Sequence, residues 1–289
     1  MIVRDQRLQM GIKMIKIHEE GTEMSRSMKS DCAKCSGLCC VALFCSKIDG
    51  FPEDKTAGKP CHNLQKDYRC KIHEELERRN LRGCTGYDCF GAGQQVTQVI
   101  YAGQTWRDSP IQAEEIFQVF LVVIQLHQMC YFLKEAVTLI PAKTLKSDIS
   151  RLIKRNEEMC RQSPSDILKT DIESYRDEVN CLLKEVCNLL QNHLLVDKRK
   201  CPTDFLGKNF KNRNMQGYDL NTKLLIAADF EGCNFRGTTF LGADTRDTNF
   251  SNADLGEAVF LSQGQVNAAR GNRNTKLPKH LDYPVTWQA

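Results

Sequence analysis

Nine of the 15 cysteines in this 289-residue sequence are crowded into one block of the chain. The first two form a C-x2-C pair, whose tight turn points both thiolates toward one metal ion. The total is odd and the N-terminus has no apolar signal-peptide region, so the crowding favours metal ligation over disulfides. We predict that all nine are metal ligands: Cys32, Cys35, Cys39, Cys40, Cys45, Cys61, Cys70, Cys84 and Cys89.

Zinc is the cofactor that we expect at these thiolates. Two four-cysteine sites would use eight of the nine, and His62 or His73 could replace one ligand. The adjacent side chains of Cys39 and Cys40 diverge, so we expect them to serve two different centres, or one of them to stay free. An iron–sulfur cluster is the first alternative, because four thiolates also suit a cluster. Reduced thiols or a disulfide switch without metal are the second.

The residues between these cysteines predict loops. Seven glycines lie between positions 37 and 93, and Pro52 and Pro60 interrupt any helix. A module with so little apolar core needs a staple, which a metal supplies. The opening C-x2-C-x3-C-C also resembles the start of a Cys-rich family described as zinc- or iron-chelating, and the resemblance implies the same kind of ligation.

Apolar periodicity predicts a central helical bundle. The first helix is expected from Gln112 to Ile140, the second from Lys146 to Arg161, and the third after Ser163, a good N-cap. Apolar residues of the third helix alternate steps of four and three, as in a coiled coil or an antiparallel bundle. We favour packing within one chain, with a homodimer as the alternative. The seam consists of Leu168, Ile172, Tyr175, Val179, Leu182, Val186 and Leu189.

The C-terminal part carries an apolar side chain at every fifth position from Phe205 to Phe260, with Thr245 as the one polar exception. We call these positions the slots. Asp or Asn precedes most slots, and in the second half a small residue stands two before each. A period of five fits neither a helix nor a strand, so it indicates stacked repeats. The other slots are Phe210, Met215, Leu220, Leu225, Phe230, Phe235, Phe240, Phe250 and Leu255.

This pattern resembles the pentapeptide-repeat family, most closely from Ala228-Asp229-Phe230 to Ala253-Asp254-Leu255. The resemblance implies a right-handed quadrilateral β-helix with one pentapeptide on each side, about three coils high at the spacing of stacked strands. It also implies that the slots and the small residues point inward. The segments from Ser262 to Gly271 and from Thr275 to Pro278 resemble the capping tail of this family.

Together these segments predict a multi-domain α+β protein. We expect a flexible N-terminal segment at 1–30, a Cys-rich metal-binding module at 31–108 and a helical bundle at 109–200. The pentapeptide-repeat β-helix is expected at 201–270 and a C-terminal cap or tail at 271–289.

Catalytic motifs are not recognisable in this sequence, so we predict a non-catalytic interaction or scaffold protein and leave an enzyme as the less favoured possibility. The alternative is an iron–sulfur redox enzyme or sensor. The family resemblance adds a third hypothesis, a DNA-mimicking protein that binds topoisomerase. Residues 201–270 carry eight acids and seven bases, a net of about −1, and three coils are short beside a ~34 Å turn of DNA. Both facts disfavour mimicry.

The composition sets the expected environment and partners. A net charge of +4 is too mild to indicate a nucleic-acid partner. We see no run of 18 apolar residues, so no membrane span is expected. We therefore expect a cytoplasmic protein with a protein partner that the sequence does not identify.

Overall fold

The computed structural model describes residues 28–195 and 202–288, so most of the predicted segment 1–30 lies outside the described residues. Contacts divide the chain into two compact units. Among the described residues, the N-terminal unit combines 28–133 with 150–180, and the C-terminal unit combines 134–149, 181–195 and 202–288. The α-helices are α1 (Leu38–Ala42), α2 (Arg82–Thr85), α3 (Ala92–Gln94), α4 (Ala113–Ala136), α5 (Lys146–Met159), α6 (Pro164–Ile167), α7 (Ile172–His193) and α8 (Gln263–Ala268).

Short turns of other helix types complete the secondary structure. A π-helical segment, Gln95–Ile100, follows α3 directly. The 3-10 turns are Cys32–Lys34, Lys47–Asp49, His73–Glu75, Pro110–Gln112, Ile140–Leu145 and Val285–Gln288. Between residues 28 and 91 no helix exceeds five residues, as expected of a loop-rich module.

Helix α4 supplies much of the core of the N-terminal unit. Its Phe120 and Val123 are fully buried and pack in one cluster with Leu38 and Val41 of α1. By length and composition alone the helix could cross a membrane, but 61% of its apolar window is buried inside the protein. The core helix of a folded protein passes the same test, because most of its apolar surface is buried.

Two buried polar side chains join the helices of this unit. Asn156 of α5 donates from Nδ2 to the carbonyl oxygen of Leu126 at 2.9 Å, which links α5 to α4. The hydroxyl of Tyr175 in α7 donates to the carbonyl oxygen of Leu152 at 2.9 Å and accepts from Asn156. The prediction of a helical core is therefore confirmed.

The prediction of one continuous third helix is wrong. Ser163 does cap α6, accepting the Asp166 N–H, but the chain leaves the helix and a second cap follows. Asp171 accepts the Ser174 N–H at 3.1 Å and starts α7. Leu168 falls in the break and is 41% exposed, so it is not part of the seam. The heptad spacing continues across the break, because the spacing of apolar residues does not show where a capping residue ends one helix and begins the next.

In the C-terminal unit the slots are buried, as predicted. Every slot from 205 to 260 is at most 5% exposed, including Thr245. Isolated parallel bridges join backbone positions twenty residues apart, as in the series Asn209, Asp229 and Asn249. Twenty residues are four pentapeptides, so the repeats stack with four to each turn of the chain. The described repeats contain isolated bridges and no extended strand or sheet, so the right-handed β-helix remains a prediction.

Hydrogen bonds explain the residues that flank each slot. The Asp or Asn before a slot accepts the N–H two residues later, an Asx turn, as Asp229 does from Glu231 at 3.2 Å. Polar side chains at the small positions donate to the coil before them. Thr238 donates to the carbonyl oxygen of Met215 at 2.7 Å. A residue at the small position must therefore be small and, if it is polar, must form a hydrogen bond when buried.

The C-terminal tail closes the stack. Thr245, the polar slot, donates to the carbonyl oxygen of Gln265 in α8 at 2.7 Å. Beyond α8, Lys276 forms a parallel bridge with Asp254, so the tail adds to the stacked backbone. Trp287 is 1% exposed and packs in the same core as the slots. Its indole lies so close to Gly271 that a Cβ there would stand 2.6 Å from the ring.

Candidate metal centre

All nine cysteines of the block are free thiols in the structure. Cys32 lies in a 3-10 turn, Cys39 and Cys40 lie in α1, and Cys84 lies in α2. Cys89 precedes α3 by three residues. Short elements and the loops between them therefore position every thiol, and the thiols separate into two groups.

The first thiol group consists of Cys32, Cys35, Cys39 and Cys89. The last three pack against the apolar core of the N-terminal unit. A Cβ at Gly93 in α3 would stand 2.6 Å from the Cys35 sulfur and 3.9 Å from the Cys89 sulfur, so both sulfurs lie beside this glycine. Cys32 is exposed. Partial burial of its sulfur, followed by the charges of Cys89, Cys35 and Cys40, raises the pKa of Cys32 to about 11.

The second thiol group consists of Cys40, Cys45, Cys61, Cys70 and Cys84. The Cys61 N–H donates to the carbonyl oxygen of Cys40 at 2.9 Å, which holds the loop of Cys61 against α1. Cys45 pairs with Lys55 in an antiparallel bridge. Burial and then the charges of the other four thiols raise the pKa of Cys84 to about 12. Cys84 therefore lies among the other members of its group.

The two groups meet at two neighbouring residues of α1. The sulfurs of Cys39 and Cys40 are 3.8 Å apart. Contact with Cys40 and burial raise the pKa of Cys39, whereas contact with Cys39 and the nearby Lys55 ammonium lower the pKa of Cys40. Lys55 is held in place by main-chain carbonyl oxygens, among them that of Lys59 at 3.0 Å. No sequence pattern predicts that Lys55 lies near Cys40, because their distance depends on the fold.

Polar groups border the first thiol group. The Ser30 hydroxyl donates to Asp88 Oδ1 at 3.0 Å and lies 3.0 Å from the Cys89 sulfur. The Tyr87 hydroxyl oxygen is buried and has no hydrogen-bond partner among the described residues. Burial, followed by the charges of Cys39 and Cys89, raises the pKa of Tyr87. Ser30 lies 59 residues from Cys89 in sequence, so no local pattern could predict this contact.

Ligation itself remains a prediction. Within the described ranges, no group of three or more Cys, His, Asp or Glu side chains is arranged so that it could hold one metal ion. His62 and His73 are both exposed. A change of χ1 rotamer moves a cysteine sulfur without moving the backbone. Zinc and an iron–sulfur cluster therefore stay expectations from thiol chemistry.

Comparison with known proteins bears on the whole chain. The family model for pentapeptide repeats matches residues 225–260 with eight copies. The "Uncharacterized protein YybG" of Bacillus subtilis is 41% identical over 265 residues, which cover 90% of this chain and 95% of that protein. The chain belongs to the same family as YybG.

The match to YybG is far longer than the repeats. The similarity to YybG therefore includes much of the part of the chain that precedes the pentapeptides. No solved structure matches the chain.

Proposed function

We propose that this pentapeptide-repeat protein is a non-catalytic interaction or scaffold protein whose Cys-rich module is stapled by zinc. The observation that carries the proposal is the gathering of nine free thiols into two groups within a module made of loops and single helical turns. Between residues 43 and 89 only Ile72 and Leu81 are buried apolar side chains, and a structural metal compensates for so small a local core. Closed sites of four thiolates are typical of structural zinc.

The repeats supply the interaction surface in this proposal. Their slots fill the interior, so the outward residues are free to suit a partner, as in other stacked repeats. We infer that they form the right-handed, four-sided β-helix and present a rigid face to a protein.

Imitation of DNA is disfavoured, because outward acids of the stack are paired with bases. Arg236 lies 2.6 Å from Glu257 and Lys276 lies 2.8 Å from Asp254. Such pairs interrupt the continuous negative surface that a DNA mimic needs.

The proposal predicts that removal of metal unfolds the Cys-rich module and spares the repeats. Full-length protein, purified without air, would be treated with a strong zinc chelator and followed by hydrogen exchange and mass spectrometry. We expect amides of residues 31–108 to lose protection and amides of the slots to keep it, because folding of the loops is coupled to metal binding.

A matched control is Cys181→Ser, which alters an exposed cysteine of α7 outside the block. This variant should respond to the chelator as the parent does. Unchanged protection of residues 31–108 in chelator would contradict the staple. If the protein is brown and its visible absorbance bleaches on reduction, the metal is an iron–sulfur centre and not zinc.

A further inference from the structure

We propose that residues 29–36 form a strap that three side chains of α3 and the π-helical segment clamp through its main chain, and that opening of the strap exposes the thiols of Cys35 and Cys89. The strap carries both cysteines of the C-x2-C pair, Cys32 and Cys35. This inference goes beyond the proposed function, because the clamp needs no metal ion.

Two glutamines of the clamp bind the first part of the strap. The Gln94 side chain donates from Nε2 to the carbonyl oxygen of Lys29 at 2.8 Å, and its Oε1 accepts the N–H of Asp31 at 3.0 Å. Gln98 donates from Nε2 to the carbonyl oxygen of Lys34 at 2.9 Å. All three bonds go to main-chain atoms, so the clamp holds the course of the chain and leaves the side chains of the strap unbound by it.

The third clamp residue, Thr97, binds the end of the strap. Its Oγ1 accepts the N–H of Ser36 at 3.1 Å and lies 3.2 Å from the Ser36 hydroxyl oxygen. Trp106 adds a bond from Nε1 to the carbonyl oxygen of Ser36 at 2.8 Å. Gly37, with φ of +69°, then turns the chain into α1. The strap is therefore held at its start, middle and end.

The clamp occupies one side of a helical turn. Gln94, Thr97 and Gln98 are spaced by three and four residues, and residues so spaced lie on one side of a helix. Gln95 lies between them in sequence but donates to the carbonyl oxygen of Cys160 at 3.1 Å, away from the strap. The π-helical turn that carries Thr97 and Gln98 is of a rare kind that occurs frequently at functional sites.

Hydrogen bonds, rather than apolar burial, hold most of the strap. The residues from 29 to 34 are exposed, except Asp31, which is half-buried. A segment with few buried contacts and exposed hydrogen bonds opens at a low free energy. We therefore expect the strap to open locally while the core around α4 stays folded.

The strap lies against Cys89. The Ser30 hydroxyl oxygen is 3.0 Å from the Cys89 sulfur. A Cβ at Gly93 would stand 2.6 Å from the Cys35 sulfur and 3.9 Å from the Cys89 sulfur, so the two sulfurs lie on either side of the same glycine. Both cysteines are partly buried. Opening carries Ser30 and Cys35 away from Cys89, and both sulfurs then become accessible.

Hydrogen exchange of the full-length protein, read by mass spectrometry, tests the clamp. Thr97→Val is nearly isosteric and removes the acceptor for Ser36, and Gln94→Leu removes both contacts with the start of the strap. We expect amides of the strap to exchange about fivefold faster in each variant, which is the effect of one hydrogen bond of typical net strength. Amides of α4 should exchange as in the parent.

The matched control is Gln95→Leu. It removes a hydrogen bond of the same kind from the same helical segment, but that bond goes to Cys160 and not to the strap. Amides of the strap should therefore exchange at the parent rate in this variant.

Alkylation gives a second readout. The same variants would be pulsed with iodoacetamide and mapped by mass spectrometry. We expect Cys35 and Cys89 to react faster in Thr97→Val and Gln94→Leu than in the parent, and Cys84 to react at an unchanged rate. Opening separates Cys35 from Cys89, so this expectation holds whether the thiols are free or bind a metal.

The outcomes separate this proposal from the metal staple. Parent rates of exchange in both clamp variants would overturn the clamp, and so would a strap that exchanges as fast in Gln95→Leu as in Gln94→Leu. Faster exchange of the strap with unchanged alkylation of Cys35 and Cys89 would overturn its role in covering the thiols. Purified protein without zinc or iron would overturn the metal staple and leave the strap standing.

Discussion

At the scale of single residues, Glu135 near the end of α4 is the most unusual group in the C-terminal unit. Its side chain is 3% exposed, and Oε2 accepts the N–H of Phe260, the last slot, at 2.9 Å. Oε1 has no hydrogen-bond partner among the described residues. Burial raises the pKa of Glu135 from 4.5 to about 8, although the bond from Phe260 acts in the opposite direction. Glu135 therefore connects α4 to the final coil, and its contribution to the free energy of unfolding depends on pH.

The first prediction concerns Glu135→Gln. Between pH 4.5 and 8 the folded protein keeps a proton that the unfolded chain has lost, so stability should fall as pH rises through this window. A glutamine keeps the acceptor for Phe260 and carries no charge. We expect the variant to match the parent near pH 5 and to exceed its free energy of unfolding by more than about 1 kcal/mol near pH 8.5.

Denaturant unfolding at both pH values checks this expectation. The control is Glu185→Gln, an exposed position of α7, which should leave the pH dependence of the parent intact. A difference between Glu135→Gln and the parent that is the same at pH 5 and pH 8.5 would show that Glu135 is ionised when buried.

At the scale of elements, the repeats were the most predictable part of the chain. Each pentapeptide repeats the same local chemistry, because an Asx turn at Asp229 and a small donor at Thr238 need only neighbouring coils. Thr245 broke the apolar pattern for a reason that lies in α8, whose Gln265 carbonyl oxygen it satisfies. The break before α7 was also readable in principle, since Asp171 is a typical N-cap residue. The heptad spacing obscured it.

The thiol groups were much less predictable, because their members meet only in the folded chain. The C-x2-C pair was visible, but nothing local joins Cys32 to Cys89 or Cys40 to Cys61. The contact of Glu135 with Phe260 spans 125 residues and had no sequence signal. Local periodicity thus predicts elements well, while the partners of buried polar and thiol groups depend on tertiary structure.

The second prediction concerns Trp287, whose side chain packs at the C-terminal end of the stacked repeats. The indole packs into the core of the C-terminal unit and against Gly271, and its Nε1 donates to the carbonyl oxygen of Ala269 at 3.3 Å. Trp287→Ala should lower the free energy of unfolding of this unit by about 3–5 kcal/mol, because a large cavity opens at the end of the stack.

Val285 lies in the same 3-10 turn and is 80% exposed. Val285→Ala is therefore the matched control and should change stability by less than about 0.5 kcal/mol. Equal effects of the two substitutions in thermal unfolding would mean that the tail does not close the stack.

At the scale of the whole molecule, two strategies of stabilisation occur in one chain. The C-terminal unit is held by a continuous apolar interior with satisfied polar neighbours, and it needs no cofactor in this account. The Cys-rich part of the N-terminal unit has short helical turns, many loops and nine free thiols. The proposal of a metal staple follows from this contrast. It predicts that removal of metal unfolds the Cys-rich part and leaves the repeats folded.

Elemental analysis of full-length protein purified without air, combined with a visible absorption spectrum, tests the central claim most directly. The account predicts about two zinc ions per chain and a colourless solution, since zinc thiolates do not absorb visible light and each tetrahedral ion takes four thiolates. Protein that is folded and contains neither zinc nor iron would contradict it.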